Sequence, residues 1–252
     1  MKKPLIGIVL FSPAKDYVID KFYEMATACF DQDLFDVLMV SDRVSPVYRT
    51  LKIPSPGWYA EDMLTVGRTE IQKYARIYEH ECMIWQGVDC FYKSNRDFER
   101  LVSNVTDKGF SAVGGITTAR ADENFCVLRH FDIAPDGEIL ETQTDWPADM
   151  IDKWVEEGEL VSVGGFPGAD ALVIHNRLYD ITFEGHIPWY ERVAMGQPNI
   201  CVEEYWCKRV LEAGHEIMLD PTVLTWHVHD VDHIARMWRG ITKPMDELSW
   251  EE

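Results

Sequence analysis

LIGIVLFSPAKDYVIDKFYEMATACFDQDLFDVLMVSD, residues 5–42, reads as a complete β-α-β unit. Leu5 to Phe11 is a branched apolar run that stops at Ser12-Pro13, as a buried strand of a parallel sheet stops. Between residues 16 and 30, Val18, Phe22, Met25, Ala26 and Cys29 recur at helical spacing. Asp36 to Val40 then returns to a short apolar run that ends at Ser41-Asp42.

The alternation continues outward. Ser45 to Gly57 is rich in Pro and Gly and reads as a loop, Val66 to His80 as a helix capped at Thr65, and Cys82 to Trp85 as a buried strand. A helix is predicted over Arg96 to Asn104 and a strand over Phe110 to Ile116. Phe125 to Thr144 reads as a β-excursion around the turn at 134–137, and Ala148 to Glu157 as a short amphipathic helix. Leu160 to Val163 and Ala169 to Ile174 bracket the turn GGFPG. A helix over Val202 to Ala213 closes at Gly214, and the strands His215 to Leu219 and Val223 to Val228 follow. The fold class is therefore α/β: a three-layer α/β/α sandwich around a central, mostly parallel mixed sheet. A ligand of such a sheet lies at the carboxyl ends of the strands, and Ser12, Asp42 and the segment Gln86 to Asp89 all fall just after predicted strands.

Composition narrows the function. At 252 residues, with 46% apolar and 12% aromatic residues, the chain is sized for one domain with a sizeable core. Asp and Glu outnumber Lys and Arg 43 to 24, a formal charge of −19, which argues against nucleic acid or an anionic membrane as partner. The six cysteines are scattered without a C-x-x-C pair, so free thiols in a reducing, cytoplasmic setting are expected. The two lysines and short apolar run at the N-terminus are too brief for a signal h-region or a transmembrane segment.

Two segments carry chemistry. In MIWQGVDCF, Met83 to Phe91, an apolar strand runs into Gly87 and the acid Asp89; on its own that acid reads equally as a turn residue satisfied by backbone amides. In CVEEYWCKRVLEAGHEIMLDPTVLTWHVH, Cys201 to His229, Glu203 and Glu204 open a helix, where the dipole favours carboxylates, and His227 closes a strand. An ionised Glu204 suits a general base as well as a helix-start acid.

Taken in order, these segments resemble the GT-A glycosyltransferases, especially the family 2 type, from about Leu5 to His229. The features that match are FSPA after the first strand, VSD ending in Asp42, the Arg-bearing helix GRTEIQKYA, Gly87-Val88-Asp89 at the D-x-D position, Glu203-Glu204 heading a helix, and Asp220-Pro221 followed by His227. The resemblance implies a nucleotide-sugar donor and a glycan, lipid or protein acceptor. It implies Mn2+ or Mg2+ held by Asp89 and His227, with the ion acting as a Lewis acid on the diphosphate. Ser12, Pro13, Asp42, Arg68, Gln86 and Gly87 would bind the nucleotide. Glu204 would deprotonate the acceptor, which implies inversion, and Glu203 would orient the site. Trp189 and Asp170 would face the acceptor, although packing in the core is the commoner role for such an aromatic. It also implies a nucleotide-binding half over 1–116, an acceptor and catalytic half over 117–229, and a tail over 230–252.

The chain departs from that pattern at Gly87, where the first Asp of D-x-D is absent, and at Glu204, where Asp is commoner. A non-catalytic GT-A-like module that binds a sugar-nucleotide or glycan is therefore an alternative. HVHDVDH, His227 to His233, also approximates a metallo-hydrolase signature, with one residue too many before the second Asp. Self-association is left open by the sequence.

Overall fold

The computed structural model describes residues 2–11, 18–54, 60–92, 95–117, 130–133, 139–143, 148–163, 171–185, 195 and 202–227. Strand β1 (Leu5–Leu10), helix α1 (Ile19–Cys29) and strand β2 (Asp36–Ser41) form the expected first unit. They are followed by β3 (Arg49–Lys52), α2 (Ala60–Ile77), β4 (Cys82–Gln86), β5 (Cys90–Tyr92), α3 (Asn95–Thr106) and β6 (Ala112–Thr117). The second half contributes the hairpin β7 (His130–Ile133) and β8 (Ile139–Gln143), then α4 (Ala148–Glu157), β9 (Val161–Ser162), β10 (Ala171–His175), α5 (Val202–Glu212) and β11 (Ile217–His227).

Nine strands form one sheet in the order β3-β2-β1-β4-β10-β6-β11-β5, with β9 also pairing to β11. β1 pairs parallel to β2 and β4, β2 to β3, and β6 to β11. β10 is antiparallel to both β4 and β6, so those two neighbours of β10 run the same way. The carboxyl ends of β1, β2, β4, β6 and β11 therefore share one rim of the sheet.

Alternation along the strands explains the layers, because successive side chains point to opposite faces. Ile6, Ile8 and Leu10 of β1, with Cys82 and Ile84 of β4, pack against Phe22 and Met25 of α1 and Phe98 and Leu101 of α3. Leu5 of β1 and Met83 and Trp85 of β4 face Ile71 of α2, Ile151 of α4 and Trp206 of α5. Helix α2 lies close on β1 because two glycines face bulky partners. A Cβ at Gly7 would stand 2.2 Å from Ile71 Cγ2, and one at Gly67 2.5 Å from Val9 Cγ1.

Four local expectations change. Helix α2 begins at Ala60 rather than Val66, because Met63, Gly67, Ile71 and Ala75 form one stripe at i, i+4 spacing; Thr65 thus lies inside the helix, not at its cap. The segment read as a loop holds β3, an edge strand whose RTLK side chains are largely exposed and so carry no apolar signature. The three-residue β5 was not expected as a strand. The two strands expected after Gly214 are the single strand β11, interrupted by a bulge. Gly214 does take the positive φ (78°) of a helix-ending glycine. Cys29, Cys82, Cys90 and Cys207 are buried free thiols; Cys126 and Cys201 lie outside the described residues. Among the described residues no helix is long and apolar enough to cross a membrane.

Candidate active site

Strand β4 ends at Gln86, and the chain turns through Gly87, Val88 and Asp89 into β5. The Gln86 side chain holds this turn together: its Nε2 donates to the carbonyls of Gly87 (2.9 Å) and Cys90 (3.0 Å), while its Oε1 accepts from the Tyr92 hydroxyl at 2.9 Å. The Cys90 amide closes the turn on Gly87 O at 3.3 Å. Gln86 is thus committed to the protein's own backbone, and Asp89 is carried inward, 1% exposed.

His227 arrives from the far end of the chain. It is the last residue of β11 and pairs directly with Cys90 in the antiparallel β5–β11 ladder. Its Nε2 lies 3.1 Å from Asp89 Oδ2, across 138 residues of sequence, and it is 5% exposed. The donor atoms of Asp89, Cys90 and His227 all lie within 4.8 Å of one another. A carboxylate, a thiol and an imidazole gathered at this spacing make a donor set that can hold a divalent ion.

The bulge in β11 sets where His227 falls. Up to Asp220 the strand is in register with Gly115 of β6, but Leu224 pairs with Ile116, so three extra residues are looped out. Asp220, fully buried, organises this loop. Its Oδ1 accepts from the Thr222 amide (3.1 Å) and hydroxyl (2.6 Å), and its Oδ2 from Arg100 Nε and Asn104 Nδ2, both at 2.7 Å. Burial alone would raise its carboxyl pKa, but these hydrogen bonds outweigh it and hold the value below the usual carboxylate range. Gly115 makes room for the bulge: a Cβ there would meet Val223 Cγ1 at 2.6 Å and its carbonyl oxygen at 2.8 Å. Beyond the bulge, the Thr117 and Thr225 hydroxyls bond at 2.8 Å and restore the ladder.

Arg68 and Glu203 meet as a buried ion pair that joins α2 to α5. The Arg68 guanidinium also stands 5.1 Å over the Trp85 ring, which packs edge-on against Trp206 at 4.8 Å. A planar cation stacked on an aromatic face and paired to a carboxylate is well held. The structure therefore brings together Asp89 with His227, and Arg68 with Glu203. Asp42, half-buried, follows β2 on the same rim as Asp89. Glu204 sits in the first turn of α5, but its side chain lies outside the described residues. Ser12, Pro13, Asp170, Trp189, His229, His233 and the tail from 230 also lie outside them. The sequence reading passed over Cys90 and the Asp220 partners Arg100 and Asn104. Adjacency to Asp89 was the one available signal for Cys90; nothing in the sequence joins residues 100 and 104 to residue 220.

No family model matches the chain, and no curated protein matches it. Among solved structures it resembles a crystal structure of GalNAc-T7 with UDP, GalNAc and Mn2+, a glycosyltransferase of the GT-A fold. The TM-score is 0.58 at 8% identity, covering 97% of this chain and 46% of that one. The chain thus spans about half the length of that protein. At this identity the likeness carries the fold, and the chain has a GT-A-like, nucleotide-sugar-transferase-like architecture.

Proposed function

We propose that this chain is a glycosyltransferase that moves a sugar from a nucleotide-diphospho-sugar to an acceptor hydroxyl, at a site centred on Asp89 and His227. The observation that carries the reading is the convergence of these two buried residues, 138 apart in sequence and 3.1 Å apart in space, at the carboxyl rim of a GT-A-like sheet. That rim is where a parallel sheet receives a nucleotide.

Asp89 and His227 would hold a divalent ion, Mn2+ or Mg2+ on the family pattern, which supplies charge neutralisation on the diphosphate. Asp42, with Ser12 and Pro13 of the first loop, would contact base and ribose. Arg68 and Glu203 act as a pair; Glu203 orients Arg68, whose guanidinium backs the donor side through Trp85. Gln86 and Gly87 shape the turn against which the nucleotide lies. Glu204 would take the acceptor proton as the acceptor oxygen attacks the anomeric carbon and the bond to the diphosphate breaks, an inverting displacement. Trp189 and Asp170 would receive a glycan, lipid or protein acceptor.

The absence of the first D-x-D carboxylate at Gly87 favours a second reading, a binding module without turnover. One experiment separates the two. Purified protein is screened by thermal shift against nucleotide-sugars with and without Mn2+, and then assayed for release of the nucleoside diphosphate. A metal-dependent rise in melting temperature with turnover that vanishes in Asp89→Ala supports the enzyme. A rise without turnover supports the binding module. If no nucleotide shifts the melting temperature under any metal condition, both readings fall.

A further inference from the structure

We propose that Cys90 is a third protein donor to the Asp89/His227 centre, and that the site therefore selects a thiophilic borderline ion, Zn2+ or Co2+, over Mg2+. The inference rests on the reading of Asp89 and His227 as a metal pair, and it concerns which ion that pair accepts.

Register supplies the first argument. Cys90 and His227 are direct cross-strand partners in the β5–β11 ladder, so their side chains leave the sheet on the same face. Asp89 immediately precedes Cys90, and the turn that places it is fixed by the Gln86 side chain bonding the carbonyls of Gly87 and Cys90. The thiol therefore faces the imidazole because of backbone pairing, not because of a chance rotamer.

Spacing is the second argument. Metal bonds of about 2.0–2.3 Å in a tetrahedral site put neighbouring donors roughly 3.4–3.8 Å apart. The Asp89–His227 contact at 3.1 Å opens by about 0.3 Å to reach that spacing, and no separation in the cluster exceeds 4.8 Å. Closing the longest gap takes about 1 Å of side-chain movement on that same geometry. One coordination position stays open to a diphosphate oxygen or water.

Donor chemistry and burial supply the third. Mg2+ prefers oxygen ligands and retains several waters, whereas Asp89, Cys90 and His227 are 1%, 0% and 5% exposed and offer one oxygen, one sulfur and one nitrogen. Thiolate with imidazole suits Zn2+ and Co2+. On binding, the Cys90 thiol proton is released to solvent as the metal–sulfur bond forms, and the proton shared by His227 Nε2 and Asp89 Oδ2 moves to His227 Nδ1, freeing Nε2 and the carboxylate for the ion.

The test titrates metal-free, full-length protein with Co2+ and reads its absorption spectrum. Wild type is expected to develop a stoichiometric thiolate-to-cobalt charge-transfer band in the near ultraviolet, and Zn2+ but not Mg2+ should displace it. Cys90→Ser should lose the band and bind Co2+ at least tenfold more weakly, while His227→Ala should bind none at the site. A Co2+ spectrum without the band that still disappears in His227→Ala overturns the role of Cys90 and leaves the metal pair standing. Absence of Co2+ and Mn2+ binding alike removes the pair itself. X-ray absorption on Zn2+-loaded wild type needs no variant: one sulfur in the coordination shell supports the assignment, and an all-nitrogen and oxygen shell overturns it.

Discussion

Replacing Asp220 by Ala tests whether this buried carboxylate, rather than strand pairing alone, holds the bulge that positions His227. The variant removes acceptors for four hydrogen bonds, but the four donors fare differently. The Arg100 side chain is 46% exposed and Thr222 is exposed, so both can turn to water. Asn104 is fully buried, and its amide loses its partner at a cost of about 1–3 kcal/mol. Adding the loss of the charge-assisted tie between α3 and β11 brings the total to about 2–4 kcal/mol, toward the lower end for breaking a buried ion pair. For a chain of this size that corresponds to a melting-temperature drop of about 5–15 °C. The acid side provides an internal check. Because hydrogen bonding depresses the folded-state pKa of Asp220, its contribution is present above the unfolded carboxylate pKa and is lost as pH falls through the lower folded value. The gap between wild type and variant, followed by circular dichroism, should therefore be full at pH 7 and narrow below about pH 4. A drop under 2 °C at pH 7, or a gap that stays constant down to pH 3, would refute the assignment.

Three further outcomes follow from the geometry. Arg68→Met should cost about 3–5 kcal/mol by leaving Glu203 buried without its cation, and the double variant Arg68→Met/Glu203→Leu should recover most of it in urea denaturation; an unimproved double variant would count against the pair acting as a unit. Gly115→Ala should destabilise by about 1–3 kcal/mol, because its Cβ meets the Val223 backbone as well as its side chain; an unchanged urea midpoint would show that the bulge can yield. The Cys29 and Cys82 thiols, pushed up to about 12 chiefly by burial, should resist a thiol reagent at pH 8 in the native state and react only on unfolding, as a timed reagent assay in and out of denaturant can show.

Much of the architecture was legible because burial on both faces leaves a strong sequence trace. LIGIVL and CMIW are unbroken apolar runs, and helix α4 fell on Ala148–Glu157 as the periodicity predicts. The elements that escaped lack such a trace: β3 is short and exposed, and β5 has three residues. Periodicity also could not say that LD and VLTWH belong to one strand, since Pro221 and the looped-out residues look like a break. For the site, the strand-end position of Asp89 and the spacing of His227 from Asp220-Pro221 singled out two residues that do meet. What makes them meet is a tertiary matter: the bulge anchored on α3, and the ladder that sets Cys90 opposite His227. Neither has a local signature.

The sheet order explains why the site depends on the whole chain. β10 is inserted between β4 and β6, and β11 between β6 and β5, so strands from the second half separate strands that the first half makes early. Segment 1–116 cannot close its own sheet, because among the described residues β4 pairs with β1 and β10, and β5 pairs with β11. Asp89 ends the turn into β5 and Cys90 begins that strand, whose partner among the described residues is β11. Long-range pairing of this kind is entropically late to form. A metal ion bound across Asp89, Cys90 and His227 would therefore tie the last strand to the first-half turn at the point where the sheet is completed. Binding there would be linked to global stability, and not only to the chemistry at the rim.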